Sequence, residues 1–288
     1  MPELPEVEVV KRSLKNNIIN LNIKKVTINT NKLRYKINKS KFNKIKDIKI
    51  LDIKRRSKYL LIKLEKNITI LAHLGMTGKF FILDKTGTRK KTSFYYRLNN
   101  NDKKHNHLIF NLNKGKKLIY NDVRKFGFIK IIASKNISTH PHLKFLGPEP
   151  LLKQFNIKYI QNYIQNKNRN IKDILMDQKF VSGLGNIYVN EILFLSKIKP
   201  NKRTKNLNIG EMKKIIYFTK SILKKSIKEG GSSIKDFNDS EGKQGVFQQQ
   251  FNVYGREGEK CTTGKCDKVI KKMVISQRAT FFCKSCQK

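Results

Sequence analysis

Acidic residues are scarce in this chain of 288 residues, where 21 Asp and Glu stand against 63 Lys and Arg. The resulting formal net charge of +42 attracts polyanions, so nucleic acid and anionic membranes are the natural partners. The chain is also rich in Lys, Asn and Ile together, a composition that the codon usage of an AT-rich genome produces by itself. The charge therefore permits binding to nucleic acid without identifying a site.

Long apolar segments are also lacking. No run of 18 or more apolar residues occurs, so we expect no membrane-spanning helix and no membrane partner. The first residues lack the continuous apolar segment of a signal peptide. We therefore expect a protein of the reducing cytoplasm.

No cysteine precedes residue 261, which argues against a disulfide framework. The spacing of the four that follow is C-x4-C, sixteen residues, then C-x2-C, and four thiolates on two such knuckles suit one structural Zn²⁺. Two disulfides or unligated thiols are the alternatives. Because about 40 residues bury too little apolar surface to fold alone, zinc would stabilise a basic β-hairpin between the knuckles. The predicted ligands are Cys261, Cys266, Cys283 and Cys286.

The start of the chain combines a potential nucleophile with two carboxylates. Apolar residues recur at three- and four-residue steps and predict an amphipathic helix over 3–16, which places Glu3 and Glu6 one turn apart. Removal of Met1 would leave Pro2 with a free secondary amine. The alternative is ordinary helix-starting chemistry, since proline and acidic residues both suit a first turn.

The next segment, to about residue 133, is typical of short strands separated by polar turns. Strands at this spacing predict a β-sandwich or barrel, with the first helix packed against it. The predicted strands cover residues 23–28, 45–53, 58–64, 68–73, 79–83, 93–98, 107–112 and 128–132.

Two prolines in residues 146–150 mark a stiff connection, after which the periodicity becomes helical. Gly183 and Gly185 precede a predicted helix and could bring free amides close to a phosphate, although such a turn is often only a turn. Residues 230–245 have no periodicity and suit either a linker or a mobile binding loop. The predicted helices cover 152–166, 170–178, 187–196 and 210–228.

Nine stretches, in this order, resemble the formamidopyrimidine-DNA glycosylase family of bacterial base-excision enzymes, and together they cover nearly the whole chain. They are PELPEVE from Pro2, RRSKYL around Lys58, HLGMTG from His73, NDVRKFG from Asn121, LGPEPL from Leu146, GLGNIYVNE from Gly183, GGSS from Gly230, VYGREGE from Val253, and the cysteine tail.

The resemblance implies an α+β multidomain fold. An N-terminal helix and β-sandwich would occupy residues 1–133, and a linker 134–151. A helix-two-turn-helix domain with a lesion-binding loop would occupy 152–245, and a zinc finger 246–288. The implied protein acts as a monomer on damaged double-stranded DNA.

The resemblance also implies a glycosylase that excises oxidised purines and nicks the abasic site by β,δ-elimination. Pro2 would form a Schiff base with C1′, Glu3 would transfer protons, Glu6 would orient the start of the helix, and Lys58 would lie beside the lesion. The alternatives are an endonuclease VIII-like enzyme for oxidised pyrimidines and a non-catalytic zinc-dependent DNA-binding protein.

A flipped base leaves a gap in the duplex that the protein must fill. Met76, Arg124 and Phe126 match the residues that fill it in the family. The remaining predicted DNA contacts are His73, His105, His107, Lys172, Asn186 and Arg278, although one histidine of the 105/107 pair is equally consistent with a buried strand residue.

Four positions depart from the family pattern. Val123 replaces a proline and Lys125 an arginine in the loop of Arg124, which would loosen that loop. Asn106 replaces an aspartate, and Lys235 an arginine. None of the four is a predicted catalytic residue.

Overall fold

A computed structural model describes residues 2–93, 100–232 and 251–288, without the side chains of 100–102. The predicted strand over 93–98 and most of the 230–245 loop, with Lys235, lie outside the described residues, as does Met1. The chain divides into two compact units, one of residues 1–144 with 229–248 and one of residues 145–228 with 249–288. The boundaries that we predicted for the individual domains stay predictions.

The first unit opens with helix α1 (Leu4–Ile18), which confirms the predicted helix and extends it by two residues at its end. Val7, Val10, Leu14 and Ile18 have no exposed surface, because the three- and four-residue steps place them on one face. That face packs into a core formed mainly by strand residues. A short helix, α2 (Lys39–Asn43), follows the first strand.

Nine strands form the body of this unit. Their hydrogen-bonded order is β6-β5-β8-β7-β1-β2-β3-β4-β9, and β1 pairs with β2 at only two residue pairs. That short junction joins a five-stranded and a four-stranded layer, which enclose one apolar core and confirm the predicted sandwich. The strands are β1 (Asn22–Ile28), β2 (Ile48–Arg56), β3 (Tyr59–Leu64), β4 (Ile68–His73), β5 (Gly78–Leu83), β6 (Arg89–Lys91), β7 (Asn106–Leu112), β8 (Lys117–Asp122) and β9 (Phe128–Ala133).

Strand β8 was missing from the sequence prediction. Leu118, Ile119 and Tyr120 are buried one after another, so the segment lacks the alternation that reveals a half-exposed strand. It lies between β5 and β7, where both of its edges are paired. Its last residue, Asp122, begins the loop that carries Arg124 and Phe126.

The second unit contains the four predicted helices, now α3 (Ile157–Ile164), α4 (Ile171–Met176), α5 (Asn186–Leu195) and α6 (Ile209–Lys228). Helix α3 begins five residues later than predicted, because Asn156 caps it by accepting from Tyr159 N at 2.9 Å. The predicted hairpin is β10 (Lys271–Ile275) and β11 (Arg278–Phe282). Among the described residues, no helix is both long and apolar enough to cross a membrane.

Candidate active site and zinc centre

The start of α1 is a buried polar cluster. Glu3 and Glu6 are 2% and 1% exposed, and Pro2 is buried beside them in sequence. Glu3 N donates to Glu6 Oε2 at 2.8 Å, so the Glu6 carboxylate satisfies a backbone group that the helix leaves unpaired. Two of the predicted catalytic residues are thus joined directly.

The other oxygen of Glu6 holds a segment that is distant in sequence. Ser232 donates to Glu6 Oε1 through its backbone N at 2.8 Å and through Oγ at 2.9 Å. Gly231 has a positive φ of 88°, and a Cβ there would lie 3.2 Å from Glu6 Oε1. Sequence reasoning missed this contact, although the GGSS string pointed to the segment. The contact fixes one end of the predicted lesion-binding loop.

Lys58 lies in the tight turn between β2 and β3 and is only 7% exposed. Arg55 supports this turn by donating to Ser57 O at 2.8 Å and to Glu8 Oε2 of α1 at 3.0 Å. Partial burial by itself raises the pKa of the Glu8 carboxyl, but hydrogen bonds from Lys11 and Arg55 hold that pKa below its ordinary value. An ionised Glu8 therefore ties the Lys58 turn to α1.

His73 ends β4 opposite Tyr59, with their ring centroids 4.9 Å apart. Burial, followed by the positive charges of Lys58 and Arg34, lowers the pKa of His73 to about 4. The imidazole is therefore neutral near pH 7. Its Nδ1 accepts from Gly75 N at 3.0 Å, which leaves the proton on Nε2 and makes His73 a neutral donor suited to a phosphate oxygen.

Met76 and Phe126 are exposed apolar side chains on two adjoining loops, with 37% and 46% of their surface accessible. The guanidinium of Arg124 lies 4.5 Å from the centroid of the Phe126 ring. A Cβ on Gly75 would lie 2.4 Å from Gly127 N, so only glycine allows this approach of the loops. The structure thus brings together the three residues predicted to fill the gap.

Asp122 anchors both loops. Its Oδ1 accepts from Thr77 Oγ1 at 2.5 Å, and its Oδ2 accepts from Gly127 N at 2.8 Å. Thr77 Oγ1 accepts in turn from Arg124 N at 3.0 Å. These bonds use neither the Val123 nor the Lys125 side chain, and the expected loosening by those two departures stays a prediction.

His105 and His107 have different environments, although their rings lie 6.4 Å apart. His107 is 3% exposed, and its Nε2 lies 2.8 Å from the carbonyl oxygen of Asp122. Burial lowers the pKa of His107, so a neutral ring bonds to the carbonyl at which the Arg124 loop begins. His107 therefore has the surroundings of a buried strand histidine, whereas His105 is partly exposed.

Lys172 and Asn186 meet at the hairpin in the second unit. Lys172 Nζ donates to Ala279 O at 3.0 Å and to Thr280 Oγ1 at 2.6 Å, and Asn186 Nδ2 donates to the same Ala279 carbonyl at 2.9 Å. Lys172 is 1% exposed, and burial lowers its pKa to about 8. Both side chains hold the strand that presents the exposed Arg278.

Glu191 is a second residue that sequence reasoning did not single out. It has no exposed surface, and its two carboxylate oxygens accept from the backbone N of Asn252, Val253 and Tyr254 and from Asn252 Nδ2, at 2.8 to 3.0 Å. It thereby holds the segment that leads into the zinc finger. In the sequence, only its position at the end of the GLGNIYVNE string singles out Glu191.

The four cysteines form one compact cluster. Their sulfur atoms all lie within 4.8 Å of one another, with Cys261 and Cys286 at 3.8 Å and Cys266 and Cys283 at 3.7 Å. Sulfur atoms bound tetrahedrally to zinc at 2.3 Å lie about 3.8 Å apart, whereas a disulfide requires about 2.05 Å. The cluster therefore fits one structural zinc ion and excludes the disulfide alternative.

Comparison with known proteins covers the same regions of the chain. Residues 1–129 match the formamidopyrimidine-DNA glycosylase N-terminal domain, 146–238 the H2TH domain of that enzyme, and 258–288 the zinc finger found in FPG and IleRS. Formamidopyrimidine-DNA glycosylases of Rickettsia bellii and Afipia carboxidovorans are 41% and 35% identical to the chain, each over 100% of both proteins.

Solved structures of Lactococcus lactis Fpg have the same fold as this chain. The complex between Lactococcus lactis Fpg and an abasic site containing DNA has a TM-score of 0.85 at 33% identity, covering 99% of both chains. The wild-type Lactococcus lactis Fpg with an N7-benzyl-Fapy-dG containing DNA has a TM-score of 0.84 at 34% identity, covering 100% of both. Because the matches extend over the N-terminal cluster, the helices and the cysteine tail alike, this chain belongs to the formamidopyrimidine-DNA glycosylase family.

Proposed function

We propose that this protein removes oxidised purines, 8-oxoguanine and formamidopyrimidines, from duplex DNA through a covalent intermediate on Pro2. Membership of the family makes it a DNA glycosylase of base-excision repair. The observation that carries the finer proposal is the buried cluster at the start of α1, where the carboxylates of Glu3 and Glu6 adjoin Pro2. Buried carboxylates next to a secondary amine can accept and return its protons.

The Pro2 nitrogen attacks C1′ of the damaged nucleotide, and the bond from C1′ to the base breaks as the base leaves with the electron pair. Glu3 delivers a proton to the ring oxygen as the deoxyribose opens, which leaves an iminium between Pro2 and C1′. Loss of a C2′ proton then expels the 3′ phosphate, and a further elimination expels the 5′ phosphate. Water finally hydrolyses the iminium and restores the amine.

Glu6, Lys58 and His73 support this chemistry without entering the covalent steps. Glu6 holds the backbone of Glu3 at 2.8 Å and so fixes the direction in which α1 presents Pro2. Lys58 supplies a positive charge in the turn before β3, and His73 offers a neutral Nε2 donor. Both groups suit phosphates that flank a flipped nucleotide.

Met76 and Phe126 enter the base stack, and Arg124 reaches the edge of the orphaned base. Asn186, the turn amides near it, Arg278 and the partly exposed His105 contact backbone phosphates. Lys172 adds its positive charge close to Asn186, while its ammonium group holds the hairpin. When bound, zinc would be held by the four cysteine thiolates, offset half of their negative charge and stabilise the hairpin that presents Arg278.

The relatives with known complexes bind DNA, and DNA is the partner of this chain as well. We further propose that it acts as a monomer, because the proposed chemistry needs no second subunit, and in the cytoplasm, where bacterial DNA lies. Light scattering of the complex with a short duplex tests the first point.

The test is borohydride trapping on duplexes that carry 8-oxoguanine opposite cytosine or an oxidised pyrimidine. We expect a covalent adduct mainly with the purine lesion, and only after Met1 has been removed. A verified N-terminal extension turns the Pro2 nitrogen into an amide, so the extended protein should bind lesion DNA without forming an adduct.

Three results would contradict the proposal. An adduct that forms while the extension is in place would show that another residue is the nucleophile, and Lys58 would be the first candidate. A strong preference for the pyrimidine would favour endonuclease VIII-like specificity. No adduct with either duplex would favour a non-catalytic DNA-binding protein.

A further inference from the structure

Three aromatic side chains form a row on the outer face of the four-stranded layer in the first unit. Tyr59, His73 and Phe128 are direct cross-strand partners on β3, β4 and β9. The residues that follow them in the chain belong to the sandwich core, so these three side chains point away from it. Phe128 is nevertheless only 2% exposed. The row is therefore covered from outside.

His142, in the turn after β9, covers this row. Its ring centroid lies 4.7 Å from that of Phe128 and 6.2 Å from that of Tyr59, and it is stacked on Tyr59 with 19° between the planes. Tyr35 packs beside it, with centroids 5.5 Å from His142 and 5.3 Å from Phe128. These separations are typical of favourable aromatic pairs.

Lys130 fixes the state of the His142 ring. It lies two residues after Phe128 on β9, and therefore on the same face. Its Nζ is 3.4 Å from His142 Nε2 and 4.1 Å from the centroid of Tyr35. An ammonium group can only donate, so Nε2 accepts and the ring proton is on Nδ1. Burial, followed by the charge of Lys130, lowers the pKa of His142 to about 4, which keeps the ring neutral near pH 7.

The His73 ring packs against the same two aromatic residues as His142. Its centroid lies 4.9 Å from Tyr59 and 5.8 Å from Phe128, with 16° between the planes of His73 and Phe128. Its Nδ1 accepts from Gly75 N at 3.0 Å. The torsion that turns an imidazole has a broad energy profile, so packing by Tyr59 and Phe128 must fix the direction of Nε2. That packing depends in turn on the ring that covers both residues.

We propose that His142 is a positioning residue for His73. It closes the aromatic row from outside and keeps the His73 imidazole in the orientation in which Nε2 donates to a DNA phosphate. This inference rests on the phosphate contact of His73 in the proposed function. His142 acts through Tyr59 and Phe128 and needs no contact of its own with DNA.

The first test uses the zinc-loaded full chain without DNA and measures amide hydrogen exchange at Gly75, whose N–H reports on the His73 ring. His142→Ala removes the cover and should speed this exchange by about tenfold. His142→Phe keeps a ring over the row and offers its face to Lys130, so exchange at Gly75 should stay unchanged. Gly78 N, which donates to Leu74 O at 2.8 Å in the same turn, should keep its protection in both variants.

Two results of this test would overturn the proposal. Unchanged exchange at Gly75 in His142→Ala would show that the His73 ring is held without the cover. Loss of protection at Gly78 as well as Gly75 would show that His142 only stabilises the turn.

The second test measures binding to a duplex that contains an abasic-site analogue. His142→Ala should weaken binding by about tenfold, and His142→Phe should restore it. In a His73→Gln background, His142→Ala should cause no further loss, because the two residues act through one contact. Ile131→Val is the control, since it removes a methyl group from the core face of β9 and should lower the melting temperature without weakening DNA binding.

Equal weakening by His142→Ala with and without His73 would overturn the proposal, because His142 would then act by another route. If His73→Gln binds DNA as tightly as the unchanged protein, the proposed phosphate contact is wrong. The exchange at Gly75 would still decide whether His142 positions the His73 ring, so the two failures can be told apart.

Discussion

Glu6 and Glu191 are two buried carboxylates, one in each unit, that hold distant segments by the same means. Glu6 accepts from Ser232, which is 226 residues away, and Glu191 accepts from Asn252, which is 61 residues away. In both cases backbone N–H groups of the distant segment are the donors. Each carboxylate therefore fixes the path of a segment rather than a single side chain.

The two sites differ in what lies beyond the contact. Glu191 binds four donors of a segment that leads directly into the zinc cluster, so the metal and the carboxylate hold the same region. Glu6 also bonds to the backbone of Glu3, next to the proposed nucleophile. The same arrangement therefore stabilises the second unit, whereas in the first unit it would, under the proposed function, position the residues around Pro2.

Removal of zinc should have the largest effect, because the metal holds the same region of the second unit as Glu191. Chelation, or Cys283→Ser, should unfold the hairpin region and abolish DNA binding, while the α1 cluster remains folded. Amide hydrogen exchange checks this directly: Val253 N should lose its protection and Ser232 N should keep it. Retained zinc and DNA binding in Cys283→Ser would show that the metal assignment is wrong.

Glu191→Ala should have the second-largest effect, because it leaves several buried donors unpaired. We expect a loss of about 3 kcal/mol or more in the free energy of unfolding, measured by denaturant titration. Glu257→Ala is the control, because Glu257 is exposed and its ion pair with Lys272 contributes about 1 kcal/mol at most. Equal losses in the two variants would show that the four hydrogen bonds of Glu191 are not stabilising.

Glu6→Gln should affect chemistry more than stability. Glutamine keeps the shape of the side chain but exchanges one acceptor for a donor, so we expect a loss of about 1–2 kcal/mol in the free energy of unfolding. The rate of borohydride-trapped adduct formation should fall by about tenfold to hundredfold, since small displacements of reacting groups are costly. An unchanged rate would exclude the positioning role of Glu6.

Changes in protonation should have the smallest effect on stability near neutral pH. At acidic pH the effect should come from His73 in the first unit, and at alkaline pH from Lys172 in the second unit. His73 has a folded pKa of about 4 against an ordinary value of 6.5, so the folded chain binds fewer protons between these values. Stability should therefore rise with pH across that window, and His73→Gln should flatten the rise.

Lys172 has a folded pKa of about 8 against an ordinary value of 10.5. Stability should rise with pH between these two values as well, and Lys172→Met should remove that rise. Melting temperatures measured against pH check both, and unchanged profiles would show that these groups are not significantly desolvated.

Much of the architecture could be predicted from local patterns. The steps of Val7, Val10 and Leu14 predicted α1, and the C-x4-C and C-x2-C spacings predicted the zinc cluster. Asn208 and Glu211 cap the start of α6 with two reciprocal hydrogen bonds, at a spacing that is typical of helix starts. These features depend on residues near one another in the chain, so their spacing is sufficient to reveal them.

The amphipathic first helix, the strand-rich region and the metal ligands can all be predicted from periodicity or spacing along the chain, and the basic charge follows from composition. Local patterns could not show that Lys172 supports the hairpin, that buried His107 bonds to the Asp122 carbonyl, or that Glu6 and Glu191 hold Ser232 and Asn252. Each of these contacts joins residues at least 15 positions apart, and only the path of the folded backbone brings such groups within hydrogen-bonding distance.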